Sequence, residues 1–263
     1  MVILGLVQGL TEFLPVSSTA HLIFAEALLG IRRPGILLEA VLHLGTALAA
    51  LILFRDDVLR LLRGWLSTFA RNRAASDPYR RLAWLIILIT GITAVAGLTL
   101  AQPFEQMFGS LRGTAAQLII TGIILLLGRG RGERIITETT TAAAMAVGVA
   151  QAAAIVPGIS RSGATIAAAM WMGLRREDAA QLSFLAAIPA VAGAGLFGLK
   201  DLGLGASLGY TPAQLVAGFV TSTVFGALAI RWLLGALRRG RLQVFATYCI
   251  AAGLFVLAVS ARG

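Results

Sequence analysis

The chain has 263 residues, 58% of them hydrophobic and only 13% charged, with a mean hydropathy of +0.86 and a formal net charge of +10. Soluble domains are about 45–50% apolar and about a quarter charged, so a water-exposed globular surface is excluded and an integral membrane protein is indicated. The positive charge is dispersed over short loops instead of gathered on one face, which argues against a nucleic-acid partner.

Residues 1–29 hold two short apolar pieces separated at Leu14-Pro15-Val16-Ser17-Ser18. Pieces of roughly 10 to 16 residues are too short to cross a bilayer and read as re-entrant helices. Pro15 ends the first piece, and the serines cap the second. The 1–15 run lacks a basic flank and an A-x-A-like site, so it makes a poor signal peptide. Residues 36–54 are long enough to cross, and residues 55–81 form an arginine-rich loop. Crossings follow at 82–101 and, in a shorter run, at 113–128, before the basic loop at 129–140. Residues 141–173 are a second broken pair, interrupted at "PGISRSGAT" (157–165). Three crossing runs close the chain at 179–199, 212–237 and 244–259. The last contains Cys249, the only cysteine, which excludes an intramolecular disulfide and a cysteine-based metal site.

The two broken pairs resemble one another. With a one-residue gap, the run from Gly5 through Gln8, Glu12 and Pro15 to Ser18 aligns with that from Gly148 through Gln151 and Pro157 to Ser162. If both pairs are re-entrant and the six other runs cross, 16 of the 22 Lys/Arg fall on one side, which is then cytoplasmic. Arg32, Arg33, Arg112, Lys200 and Arg262 fall on the other. The first pair then enters from outside and the second from inside. The expected fold is an all-α polytopic membrane protein: six transmembrane helices plus two re-entrant helix pairs in an inverted-topology repeat. Residues 1–263 form one integral-membrane domain, with repeats at about 1–128 and 141–259.

Arg161 is the one cation the loops do not absorb. An ionisable group at membrane depth is costly and usually faces a polar cavity and a partner. Gly158 and Gly163 allow backbone to approach a ligand. Ser160, Ser162 and Thr165 add donors, and the following helix offers its N-terminal amides. An arginine at a helix N-terminus suits phosphate. The alternative is that Arg161 pairs with Glu12 only to fasten the two tips. Gln8 and Glu12, four residues apart, share a helix face and could hold a divalent cation, Glu12 as the carboxylate ligand and Gln8 as a neutral one. Ser18 and His21, three apart, could approach as nucleophile and base, or His21 could act as an acid; alternatively they are a cap and a packing residue. Glu39 and His43 could orient the first tip or pair with each other. Phe13 and Trp171 read as packing or lipid contacts.

Together, "VQGLTEFLPVSSTAH" (7–21) and "PGISRSGAT" resemble the two hallmark motifs of the undecaprenyl-diphosphate phosphatase family of the bacitracin-resistance type. The first motif is (Glu/Gln)-xxx-Glu followed by Pro-x-Ser-Ser and a histidine; the second is Pro-Gly-x-Ser-Arg-Ser-x-x-Thr. The resemblance covers essentially the whole chain. It implies hydrolysis of undecaprenyl diphosphate to the monophosphate in the bacterial cytoplasmic membrane, recycling the cell-wall lipid carrier and conferring bacitracin tolerance. It also implies a divalent cation, Mg²⁺ or Ca²⁺, an active site open to the outer face, membrane lipids as surroundings, and room for a homodimer. Carried over by motif position, Glu12 is the essential carboxylate, Ser18 and His21 belong to the catalytic set, and Arg161 binds phosphate with Ser17, Gly158, Ser160, Ser162 and Thr165. Gln8 stands where some members have Glu, leaving one carboxylate at a site that can hold two. Ser18 attack and attack by an activated water both remain open. The competing function is a transporter or flippase that binds a phosphate-bearing lipid without cleaving it.

Overall fold

Alanine- and leucine-rich runs favour helix, and among the described residues all the regular structure is helical apart from a single isolated bridge. The computed structural model describes residues 1–30, 36–69, 77–108, 110–128, 132–198 and 210–261. Arg32, Arg33, Arg71, Arg73, Arg129, Arg131, Lys200 and Arg262 of the charge count lie outside the described residues. In chain order the helices are α1 (Val2–Phe13), α2 (Ser18–Leu29), α3 (Ile36–Leu53), α4 (Arg55–Ser67), α5 (Pro78–Phe108) and α6 (Leu111–Leu127). A 3-10 turn at Ile136–Glu138 then leads to α7 (Thr141–Ala153), α8 (Arg161–Trp171), α9 (Arg176–Gly198), α10 (Pro212–Arg238) and α11 (Leu242–Ser260).

Among the described residues, four helices are long and apolar enough to cross a membrane: residues 78–100 of α5, and α9, α10 and α11. Counting the α3–α4 pair, bent by 83°, as one span brings the number to five. The shorter run expected at 113–128 is α6, whose 17 residues extend about 26 Å at 1.5 Å per residue, beside about 30 Å of hydrocarbon. Large apolar side chains such as Leu98 (78% exposed) and Phe255 (69%) face outward, as lipid contact requires.

The 55–81 stretch, expected as a loop, begins with the amphipathic helix α4. Val58, Leu61 and Trp65 lie on its partly buried side, while Asp56 and Asp57 occupy its first turn, where negative charge complements the helix dipole. The arginines that mark it as a loop in sequence are its outer face. The segment after α6 is pinned too. Asp178 accepts from the Ile136 amide at 2.8 Å and from Arg175 Nε at 2.7 Å, and Arg134 pairs with Leu174 in the bridge.

Both breaks have local causes. Pro15 forces Leu14 into extended backbone (φ −68°, ψ 143°). Ser17, the only described non-glycine residue with positive φ (67°), then turns the chain and accepts from the Ala20 amide at 3.3 Å to cap α2. In the second break Gly158 takes φ 101°, and Ser160 caps α8 by accepting from the Gly163 amide at 3.1 Å.

Close helix contact holds the first break in place. A Cβ on Gly5 would lie 2.7 Å from the Gly218 carbonyl, and one on Gly9 would lie 2.8 Å from the Ser222 carbonyl. Small residues four apart thus let the α1 and α10 backbones touch. The second break rests on α6: Thr121 donates to the Gly158 carbonyl at 3.1 Å and accepts from the Ser160 amide at 2.9 Å. A Cβ on Gly158 would meet the Thr114 carbonyl at 2.5 Å. Gly158→Val is therefore expected to lower the thermal midpoint of the purified protein by several degrees, through strain in a positive-φ position and the clash together. An unchanged midpoint in detergent would remove this close approach from the account.

Candidate active site

Glu12, on the last turn of α1, is the centre of the site. Its side chain is 1% exposed, and a buried carboxylate needs partners. Four groups surround it. Arg161, first residue of α8, pairs its guanidinium with Oε1. Oε2 accepts from Ser18 Oγ at 2.6 Å and from Gln8 Nε2 at 2.9 Å. His43 Nε2, from α3, stands 3.9 Å from the same oxygen. The two breaks meet here, and Ser162 ties them further by donating to the Leu14 carbonyl at 2.9 Å.

Not every hydroxyl faces this centre. Ser160 is spent on capping and lies 3.2 Å from the Ser162 hydroxyl. Thr165 donates to the Arg161 carbonyl at 2.7 Å and sits 2.6 Å from the Ser183 hydroxyl of α9. Ser17, Ser160, Ser162 and Thr165 are all buried. In this structure they build the tip instead of lining an opening, because each already has a protein partner. Gly158 and Gly163 are likewise filled from the protein side, by α6 and by Ser160 with Pro15. The groups left partly exposed are Ser18, His21, His43 and Arg161. Beside them, among the described residues, the Arg161 and Ser162 amides in the first turn of α8 donate no intrahelical or capping bond, which leaves a donor pair for an anion.

No hydrogen bond joins Ser18 and His21. Ser18 turns to Glu12, whereas His21 places Nδ1 2.8 Å from the Ser17 carbonyl and Nε2 2.6 Å from the Tyr248 hydroxyl of α11. Helical spacing brings two residues to one face but does not choose between their partners. His43, read in sequence as an orienting or Glu39-paired residue, anchors Nδ1 on the Glu39 backbone carbonyl at 2.7 Å and turns its other nitrogen to Glu12. Its signal in the sequence is the cost of a histidine inside a crossing run. Tyr248 and Thr121 carry no such signal, since each is an ordinary residue of an apolar run. Phe13 is buried against Phe184; Trp171 is exposed and donates to the Leu127 carbonyl at 3.0 Å.

Gln8 Oε1 is buried without a hydrogen-bond partner, and such an orphan calls for an explanation. A carboxylate has about four lone-pair positions, and three donors occupy Glu12. One carboxylate position plus one amide oxygen fits a cation that keeps waters and takes substrate phosphates. The set does not make an all-protein cage, and no group of three acidic, histidine or cysteine ligands occurs among the described residues. Gln151 also has an unpaired Oε1, but its amide faces Thr93 at 2.9 Å and has no carboxylate beside it.

Comparison with known proteins covers nearly the full length. A family model described as bacitracin resistance protein BacA matches residues 1–255. The undecaprenyl-diphosphatase of Methanobrevibacter smithii is 39% identical over 265 residues, covering 97% of this chain and 95% of the relative. Those of Myxococcus xanthus and Rubrobacter xylanophilus are each 41% identical, covering 100% and 98% of this chain and 89% and 96% of the relatives. The chain belongs to the bacitracin resistance protein BacA family.

Proposed function

We propose that this protein hydrolyses undecaprenyl diphosphate to undecaprenyl phosphate and inorganic phosphate. The observation that carries the reading is the meeting of Glu12, Ser18 and Arg161 at the joined tips of two broken helices, in a chain whose relatives bear that activity by name. A long polyprenyl tail stays in lipid while its charged head must be attacked. A polar site assembled from helix ends inside an apolar bundle meets both demands.

The Arg161 guanidinium and the first amides of α8 bind the diphosphate and stabilise charge that builds on its oxygens as the anhydride bond breaks. Ser18 is the candidate nucleophile. Its proton already points at Glu12 Oε2, so Glu12 is the base its geometry offers, and attack forms a Ser18–phosphate bond as polyprenyl phosphate departs. Water then releases phosphate and returns the proton. In the competing route Glu12 orients a water that attacks directly. Glu12 and Gln8 Oε1 would hold Mg²⁺ or Ca²⁺ with the substrate's oxygens, and the ion would neutralise phosphate charge when bound. A lipid transporter needs the anion site but gives the Ser18–Glu12 pair no task.

The six-crossing inverted repeat and a cytoplasmic-membrane location belong to the same proposal. Helix packing supports the repeat: α1 lies on α10 as α7 lies on α5, and α3 meets α9 as α6 meets α11. With α1, α2, α3, α5 and α6 matched in order to α7 through α11, the α1–α10 and α7–α5 contacts interchange, and the α3–α9 and α6–α11 contacts each map onto themselves. The arginines support the orientation. Arg231, Arg239 and Arg241 line a cavity of about 330 Å³ where α10 turns into α11, on the side the charge bias assigns to the cytoplasm. The site then opens to the outer face.

Purified protein in detergent is expected to release phosphate from undecaprenyl diphosphate with Mg²⁺ or Ca²⁺ present and to stop on chelation. Ser18→Ala is expected to lose at least about 10²-fold in kcat and to accumulate no phosphorylated protein on acid quench. Substantial Ser18→Ala turnover would assign the attack to water. Substrate binding without any release, by the unmodified protein, would return the transporter.

A further inference from the structure

His21 lies on α2 one turn beyond Ser18 and is not hydrogen-bonded to it. Its hydrogen bonds choose the tautomer of the neutral ring. The Ser17 carbonyl can only accept, so Nδ1, 2.8 Å away, carries the proton of the neutral ring and Nε2 carries the lone pair. That lone pair faces the Tyr248 hydroxyl at 2.6 Å, which donates to it. The rings stack as well, with centroids 5.6 Å apart and planes 15° apart. Tyr248 is thus bound to the imidazole by edge and by face. The next residue reinforces the grip: Cys249 Sγ donates to the Pro15 carbonyl at 3.4 Å. Two adjacent side chains of α11 therefore clamp the break that carries Glu12 and Ser18. Tyr248 is 47% exposed, and His21 is partly exposed beside it.

We propose that Tyr248 is a positioning residue for His21. Its hydroxyl fixes the tautomer with the lone pair on Nε2, and its ring fixes the imidazole plane. Among the described residues no other group bonds Nε2. A proton therefore reaches that nitrogen through the phenol, which gives its own proton to Nε2 and accepts another on its oxygen, or after the phenol is displaced. The sequence motifs hold no trace of this residue, which lies 227 positions from its partner. The kinetic part of the proposal rests on the phosphatase reading; the structural part does not.

The test uses Tyr248→Phe, which keeps the ring and removes the hydroxyl, and Tyr248→Leu, which removes both. Phosphate release from undecaprenyl diphosphate is expected to show kcat lowered about tenfold in Tyr248→Phe, with KM within about twofold, and lowered further in Tyr248→Leu. In a His21→Ala background, Tyr248→Phe is expected to cost nothing more, since groups acting as one unit are non-additive. Equal losses in both backgrounds, or an unchanged kcat in Tyr248→Phe, would overturn the proposal. A second measurement needs no turnover. The chain has only two histidines, so ¹⁵N-histidine spectra of the detergent-solubilised protein resolve both rings, with His43→Gln assigning them. The Nε2 resonance of His21 is expected to show the unprotonated form and to move in Tyr248→Phe while His43 stays still. An unmoved resonance sinks the contact even if the unmodified protein releases no phosphate, an outcome that would instead refute the phosphatase reading.

Discussion

Arg161→Lys is expected to lower phosphate release by about 10²–10³-fold in kcat, the range seen when a donor to developing charge is removed, while leaving the fold nearly intact. The reason lies in shape, not in charge. The guanidinium of Arg161 is held by Glu12 on one side, and its side chain is 22% exposed; a planar fork can keep that contact while its remaining N–H groups face an anion. An ammonium on a shorter reach cannot span both demands at once. Lysine still supplies a cation beside the buried carboxylate, so the thermal midpoint should fall by only a few degrees. Arg161→Ala separates the two roles. It leaves Glu12 buried without a cation, which costs about 3–5 kcal/mol in fully buried pairs and less here because the arginine is partly exposed. Comparing kcat, KM and thermal midpoint across the two variants checks this. Near-normal turnover in Arg161→Lys would show that Arg161 only fastens the tips, and the anion site would have to be the α8 amides alone.

Much of this centre could be read from the chain because membrane depth makes polar residues expensive. Glu12 and Arg161 stand out as ionisable groups between apolar runs, and each break has its own proline and hydroxyls, so their meeting followed from the cost of leaving either charge alone. Ser18 was legible for the same reason. What the sequence could not resolve is the division of labour among hydroxyls. Ser17, Ser160, Ser162 and Thr165 look alike on paper, yet all four are consumed by caps and backbone carbonyls, because buried backbone at a helix break must be satisfied by something close. Tyr248 was invisible for a different reason. Tyrosine in an apolar helix carries no cost that draws attention, and only the docking of α11 against α6 and the first break brings it to His21. In the fold, proline, glycine and length placed the helices well. They failed where charge hid periodicity, as in α4. That miss lies on the scaffold's rim, whereas the centre of the site is set by a few costly residues.

Glu12→Gln is expected to abolish measurable turnover and its metal response together, and to destabilise the protein more than the near-identical shape implies. Three donors converge on this carboxylate, from Gln8, Ser18 and Arg161. A glutamine offers one acceptor oxygen, and its NH₂ must face groups that themselves donate. At least one donor then loses its partner, and the arginine loses its counter-charge. An unsatisfied buried polar group costs about 1–3 kcal/mol; the broken ion pair adds to this, though less than in a fully buried case. The catalytic loss has a separate origin, because an amide can neither take the Ser18 proton nor supply an anionic cation ligand. Stability and activity can be pulled apart with a second substitution. Glu12→Gln combined with Arg161→Met removes the stranded charge and should recover part of the thermal midpoint, yet turnover should stay absent. Thermal unfolding and phosphate release at varied Mg²⁺ and Ca²⁺ measure both arms. Recovery of stability with catalysis still missing fits a carboxylate that is both fastener and reactive group. An unaltered metal response in Glu12→Gln would place the cation on other residues and leave Gln8 Oε1 unexplained.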